Sequence, residues 1–228
     1  VHDMYLRFDQ DLAQLFEYLD KEIGMENVLI FFTADHGAAD VPAFVKGNTD
    51  YYSNEDLKKQ LNELYKSTFE VDELIEGFSN FQLYLDRDKM EEKEVSVEDV
   101  VEVTHETLRD HPEIFAVVDA QDLADCDLAG NLCQLLQNGH HPQRGGDIFI
   151  LPQSGWITDF YEKGGTTHGS PFSYDTHIPM FWMGWEVPKG QSWERTEIPD
   201  IAVTVAAMLG ISSPNGAIGK PMIPLLQE

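Results

Sequence analysis

The apolar run Val28-Leu29-Ile30-Phe31 leads directly into Phe32-Thr33-Ala34-Asp35-His36-Gly37, and an amphipathic stretch precedes it without a break. No other segment restricts the fold as much. Consecutive apolar residues bounded by a turn signal read as a short strand buried on both faces, as in a parallel sheet. Upstream, Tyr5, Phe8, Leu12, Leu15, Leu19 and Ile23 step by three or four, so residues 3–23 read as one helix with Gly24 as its stop. A helix followed at once by a buried strand is half of a βαβ unit, whose first strand is expected upstream of Val1. The fold class predicted is α/β.

Asp35 and His36 then fall at the carboxyl end of the strand, where open α/β sheets place their ligands. A carboxylate oxygen beside an imidazole nitrogen is a good donor pair for a first-row metal, zinc above all. Gly37 lets the backbone turn away and keeps bulk out of the site. The plainer alternative is a turn that only ends a strand.

Further along, residues 54–66 read as a helix and Phe81–Leu85 as a strand. A helix is predicted over Ser96–Arg109, opened by a capping box of Ser96 and Asp99. A strand at Ile114–Val118, a helix over Leu128–Leu136 stopped by Gly139, and a strand at Asp147–Leu151 follow. This β-α-β-α-β run, about 75–152, reads as an α+β subdomain with its own small sheet. The expected division is therefore a core of residues 1–42 and 153–228 carrying an insertion or cap of 43–152. After a glycine-rich stretch, Lys163-Gly164-Gly165-Thr166-Thr167-His168-Gly169, a buried strand is expected at Ile178–Met183. A last helix from Pro199 should bury Ile201, Val205 and Met208 and stop at Gly210.

Charge narrows the partners. The 228 residues carry 15 Lys and Arg against 41 Asp and Glu, a net charge of −26. A nucleic-acid partner held through a basic face is excluded, because neutralising phosphates needs Lys and Arg. An enzyme this acidic that handles an anionic substrate needs local positive charge, which a metal ion supplies. No stretch approaches the ~20 apolar residues of a membrane-spanning helix. Cys126 and Cys133 sit in what reads as one helix, where about 10 Å of rise would separate them, too far for a disulfide.

Of the eight histidines, His105 and His111 fall on or just after an acidic helix, and His140-His141 in a loop. His168 differs, because Gly164, Gly165 and Gly169 flank it and allow a tight loop that aims an imidazole into a cleft. His177 competes, and with Asp175 nearby it suits a turn or a partner to a metal ligand. A Gly-X-Ser-X-Gly elbow and a phosphate-cradling Gly-X4-Gly-Lys-[Ser/Thr] loop are both lacking.

Thr33-Ala34-Asp35-His36-Gly37-Ala38 together with Gly165-Thr166-Thr167-His168-Gly169-Ser170-Pro171 resembles the alkaline phosphatase superfamily. The branch it resembles is the phosphate-irrepressible bacterial alkaline phosphatases, kin of the type I phosphodiesterases and nucleotide pyrophosphatases. Tyr5-Leu6-Arg7-Phe8-Asp9, Asp119-Ala120-Gln121-Asp122-Leu123, Arg144-Gly145-Gly146-Asp147 and Tyr174-Asp175-Thr176-His177-Ile178-Pro179 extend the resemblance over essentially the whole chain.

The resemblance implies an alkaline-phosphatase-like three-layer sheet and a pair of zinc ions that clamp the attacking and leaving oxygens of phosphoryl transfer. Asp35 and His36 would ligate the ion that activates a nucleophile, and His168 the other. It implies a phosphorylated small molecule as substrate and a periplasmic or extracellular setting. The family's nucleophilic Thr or Ser and its remaining ligands lie upstream of the residues matched here, so little catalysis is expected from this chain alone. The strands at 28–33 and 178–183 are then expected to need a missing N-terminal half, or a second copy, to cover them. Two alternatives remain: a phosphodiesterase or nucleotide pyrophosphatase, and a non-catalytic binding module that keeps relic metal residues.

Overall fold

The computed structural model describes residues 1–45, 47 and 49–226. In chain order its elements are α1 (His2–Glu22), β1 (Leu29–Thr33), β2 (Tyr51–Tyr52), α2 (Asn54–Phe69), β3 (Ile75–Ser79), β4 (Gln82–Leu85), α3 (Arg87–Glu92) and α4 (Val97–Leu108). Then come β5 (Ile114–Asp119), α5 (Leu132–Gly139), β6 (Ile148–Pro152), β7 (Ile157–Thr158), α6 (Ser173–Thr176), β8 (Met180–Gly184) and α7 (Asp200–Met208). The α/β class is as predicted. The chain divides into two compact units, one of residues 1–35 with 178–228 and one of residues 36–177.

In the first unit, β1 and β8 pair antiparallel from Leu29 opposite Gly184 to Thr33 opposite Met180. The sequence predicts burial for both strands, and neither is buried. Phe31, Phe32, Phe181 and Met183 stand exposed, and α1 buries none of its residues although its apolar stripe is present. A two-stranded ribbon has two faces and two edges to cover, more than one flanking helix can reach. Phe8 of α1 reaches Phe32, and Phe31 packs on Trp182, with ring centroids 6.2 and 5.2 Å apart. The helix α7 begins after Pro199 as expected, but it buries Val203, Thr204 and Ala206 in place of Ile201, Val205 and Met208. Thr204 sets that phase, because its hydroxyl donates to the Asp200 carbonyl and accepts the Met222 N–H at 2.9 Å, turning this face toward the tail.

The second unit is organised by a four-stranded antiparallel sheet in the order β3-β4-β6-β5. Every residue of β6 is buried, and the period of two sends its side chains into different cores. Ile148 and Ile150 join Leu57, Leu61 and Tyr65 of α2 and Val100 and Leu108 of α4 on one face. Phe149 and Leu151 join Leu123 and Leu136 on the other. The helix α4 starts with the predicted capping box: Ser96 Oγ accepts the Asp99 N–H at 3.0 Å, and the Asp99 carboxylate accepts the Ser96 N–H at 3.2 Å. The strand β3 is not evident from the sequence because Glu76 and Gly77 interrupt its apolar pattern.

Two corrections concern the second face. The helix α5 starts at Leu132, and Leu128 lies in the loop before it. Cys126 is therefore off the helix, its Cα only 5.8 Å from that of Cys133, and the two form a disulfide. The expected separation assumes a continuous helix, and Gly130, with a left-handed φ of +72°, ends that assumption.

Candidate functional site

The strand β1 ends at Thr33, whose hydroxyl donates to the Pro179 carbonyl at 2.8 Å. Asp35, exposed, is the last residue of the first unit, and His36 is the first of the second. His36 Nδ1–H donates to the Gly37 carbonyl at 2.6 Å, which places a proton on Nδ1 and orients the ring.

His168 comes from the other end of the second unit. Gly164, Gly165 and Gly169 all adopt positive φ around it, between +106° and +116°, as its glycine-rich setting predicts. The loop folds back so that the His168 and His36 rings stack, with centroids 3.4 Å apart and planes inclined by 11°. Face-to-face stacking at this distance is not the preferred geometry of two aromatic rings, and two imidazolium ions would repel one another.

Backbone contacts hold the two segments in place. Gly37 N–H donates to the Asp175 carbonyl at 2.8 Å, and Ala39 N–H to the Thr167 carbonyl at 3.0 Å. The Thr166 hydroxyl donates to the Ala39 carbonyl. Asp175 is almost wholly buried, and its Oδ2 accepts both the N–H and the hydroxyl of Ser170, each at 2.7 Å. Gly37 is required by the close approach more than by the turn: a β-carbon there would lie 1.9 Å from the Tyr174 carbonyl oxygen.

Beside His168 lies a cavity of about 110 Å³ walled by Tyr52, Phe81, Trp156 and Tyr174, with Asn54 and Asp175 among its polar lining. Burial raises the Tyr52 hydroxyl well above the phenol range, with Tyr174 and Asp159 adding to the effect. Burial likewise raises Tyr174, opposed by hydrogen bonds from Ser170 and Gly155. Both phenols are therefore neutral donors at ordinary pH.

The donor chemistry suits zinc, with two imidazoles, one of them in a fixed tautomer, and a carboxylate on the adjacent residue. Among the described residues no group of three or more His, Cys, Asp or Glu is gathered into a cation cage. His177 lies just after α6 in extended backbone. His2, His105 and His141 are exposed. The sequence marks Asp175 only as a neighbour of His177; its tie to Gly37 and Ser170 has no local signal.

Comparison with known proteins places this geometry in context. Residues 1–174 match the family model described as type I phosphodiesterase / nucleotide pyrophosphatase. Alkaline phosphatase PafA of Elizabethkingia meningoseptica is 36% identical over 99% of the chain, and this covers 42% of that protein. A protein of Myroides odoratus named calcium-transporting ATPase is also 36% identical, over 100% of the chain and 42% of its own length. Alkaline phosphatase PhoV of Synechococcus elongatus is 33% identical over 100% of the chain and 41% of its own length. The crystal structure of wild-type alkaline phosphatase PafA superposes with a TM-score of 0.90 at 35% identity, covering 100% of this chain and 44% of that one. The chain thus spans about two fifths of the length of the curated relatives it matches.

Proposed function

The chain belongs to the type I phosphodiesterase / nucleotide pyrophosphatase family, and from that premise we propose that it is the part of a zinc-dependent alkaline phosphatase that carries Asp35, His36 and His168 to the metal centre. The observation that carries this reading is the stacking of His36 on His168 at 3.4 Å, two ligating side chains from opposite ends of one unit. When bound, a zinc pair supplies Lewis-acid stabilisation of the phosphoryl oxygens.

The chain's own residues do the rest. Asp35 and His36 would hold one zinc ion through a carboxylate and an imidazole, and His168 would give its imidazole to the other. The Nδ1 hydrogen bond of His36 fixes its tautomer, and Gly37 keeps side-chain bulk away from the turn. The attacking Thr or Ser and the remaining ligands belong, in this reading, to the three fifths of the relatives' length that this chain does not span. That same portion covers Phe31, Phe32 and Phe181. Residues 43–152 act as the cap subdomain. The substrate is a phosphorylated small molecule, in a periplasmic or extracellular setting with which the Cys126–Cys133 disulfide agrees.

The family description supports a second reading, cleavage of phosphodiesters or nucleotide pyrophosphates. The test is hydrolysis of an aryl phosphate and of a bis-aryl phosphate by the natural polypeptide that carries this chain, loaded with zinc. The first reading expects the monoester to be faster, with His168→Ala losing most of that rate. A faster diester favours the second, and no zinc-dependent hydrolysis of either overturns both in favour of a binding module. The 228-residue chain alone is expected to show only background hydrolysis.

A further inference from the structure

Asp175 is 4% exposed and sits in the four-residue helix α6, far from Asp35 and His36 in sequence and seven residues after His168, and both histidine segments end on it. Its main-chain carbonyl receives Gly37 N–H at 2.8 Å, the first amide after His36. Its carboxylate Oδ2 receives the N–H and the hydroxyl of Ser170, two residues after His168, each at 2.7 Å. One residue therefore grips the His36 turn through its backbone and the His168 loop through its side chain.

The grip carries an energetic cost. A carboxylate removed from water needs its lone pairs occupied, and Oδ1 of Asp175 has no hydrogen-bond partner among the described residues. A neutral side chain would fill this position with less desolvation if packing were its only purpose. Asp175 Oδ2 accepts two bonds from Ser170, and bonds accepted by a carboxylate are about twice as strong as those accepted by a neutral oxygen. Stiffness of that kind matters where flanking glycines otherwise leave a loop slack, as Gly164, Gly165 and Gly169 do around His168.

We propose that Asp175 is a positioning residue: it sets the separation of the His36 and His168 rings, and through it the fit of the site to its metal ions. The proposal rests on the reading of these histidines as metal ligands and adds a group outside the ligand set. Ser170 is its intermediary. Tyr174, the residue before it, contributes the carbonyl that allows only glycine at position 37.

The test uses the full chain with histidine-selective carbon-13 labelling. Wild type should show a ring-to-ring NOE between His36 and His168, with the Tyr65–Phe69 NOE as a fold control, since those rings lie in the remote core at 6.2 Å. In Asp175→Asn the histidine NOE should fall at least threefold while the control holds. Ser170→Ala, a milder change that keeps the Asp175 carbonyl bond, should weaken it in the same direction and serves as the decisive variant if Asp175→Asn does not fold. Zinc affinity measured by chelator competition should drop up to about tenfold in Asp175→Asn, the lower end of the cost of losing a group bonded directly to a ligand, since Asp175 acts through Ser170 and the Gly37 amide. A histidine NOE that survives unchanged in the folded variants overturns the proposal. Wild type that shows the NOE but takes up no zinc overturns the metal reading and leaves the positioning role standing.

Discussion

Gly37 lies so close beneath the carbonyl of Tyr174 that a β-carbon at position 37 would sit 1.9 Å from its oxygen. No rotamer relieves such a clash, because the backbone fixes where the β-carbon lies and the oxygen it meets is main chain. Gly37→Ala must push the His36 turn off α6 and break the 2.8 Å bond to Asp175. Overpacking of this kind costs about 1–3 kcal/mol. Urea denaturation should show a lowered midpoint, and the variant should bind zinc more weakly than wild type.

Tyr65 and Thr104 meet in the core at 2.5 Å, and the Thr104 hydroxyl hydrogen is already given to the Val100 carbonyl at 2.6 Å. Tyr65 is therefore the donor of the pair. Thr104→Val strands that buried donor and should cost about 1–3 kcal/mol, whereas Tyr65→Phe leaves Thr104 still donating and should cost about 1 kcal/mol. Equal losses in equilibrium unfolding would refute this assignment of the proton.

The Asp99 carboxyl is held below the usual aspartate range by the Ser96 hydroxyl first and the Ser96 N–H second. A folded value below the unfolded one means that the unfolded chain binds the proton more readily. The contribution is therefore complete above the ordinary aspartate value, about 3.9, and fades as pH falls through the folded one. Amide exchange at the start of α4 should accelerate only in acid, and Ser96→Ala should weaken that dependence.

Cys126 and Cys133 are joined, so denatured, unreduced protein should titrate for no free thiols and reduced protein for two. Opening so short a loop should cost about 2 kcal/mol in the chain-entropy account. Urea curves with and without dithiothreitol measure it.

Phe32 and Phe181, opposite one another on one face of the ribbon, are exposed at 43% and 63%, and Phe31 on the other face at 45%, so both faces present apolar surface that seeks cover. The isolated chain should bind a hydrophobic dye and self-associate in sedimentation. Phe32→Ser with Phe181→Ser should reduce both without altering the second unit's unfolding.

Residues with strong local patterns are legible in the order of amino acids alone. The stripe of α1, the Ser96–Asp99 box of α4 and the apolar runs of β5 and β6 each state their own conformation within a few residues. The glycines around His168 likewise announce a tight loop, and Asp35-His36 a turn at a strand end. What stays hidden depends on partners far along the chain. The apolar run of β1 cannot say what covers it, and here little does. The disulfide depends on Gly130 ending helical continuity. Asp175 owes its place to Gly37 and Ser170, and no periodicity encodes a tie between a carbonyl and an amide so distant in sequence.

The bond from Gly37 N–H to the Asp175 carbonyl also means that the second unit leaves and returns at one point. Everything between Ala39 and Thr166 is a closed excursion, and lengthening a closed excursion costs little chain entropy, about 0.6 kcal/mol for each doubling. Lineages can therefore remodel this lobe and its cavity while the two histidines stay where they are. Evolution can change what the site accepts without reopening how it is built.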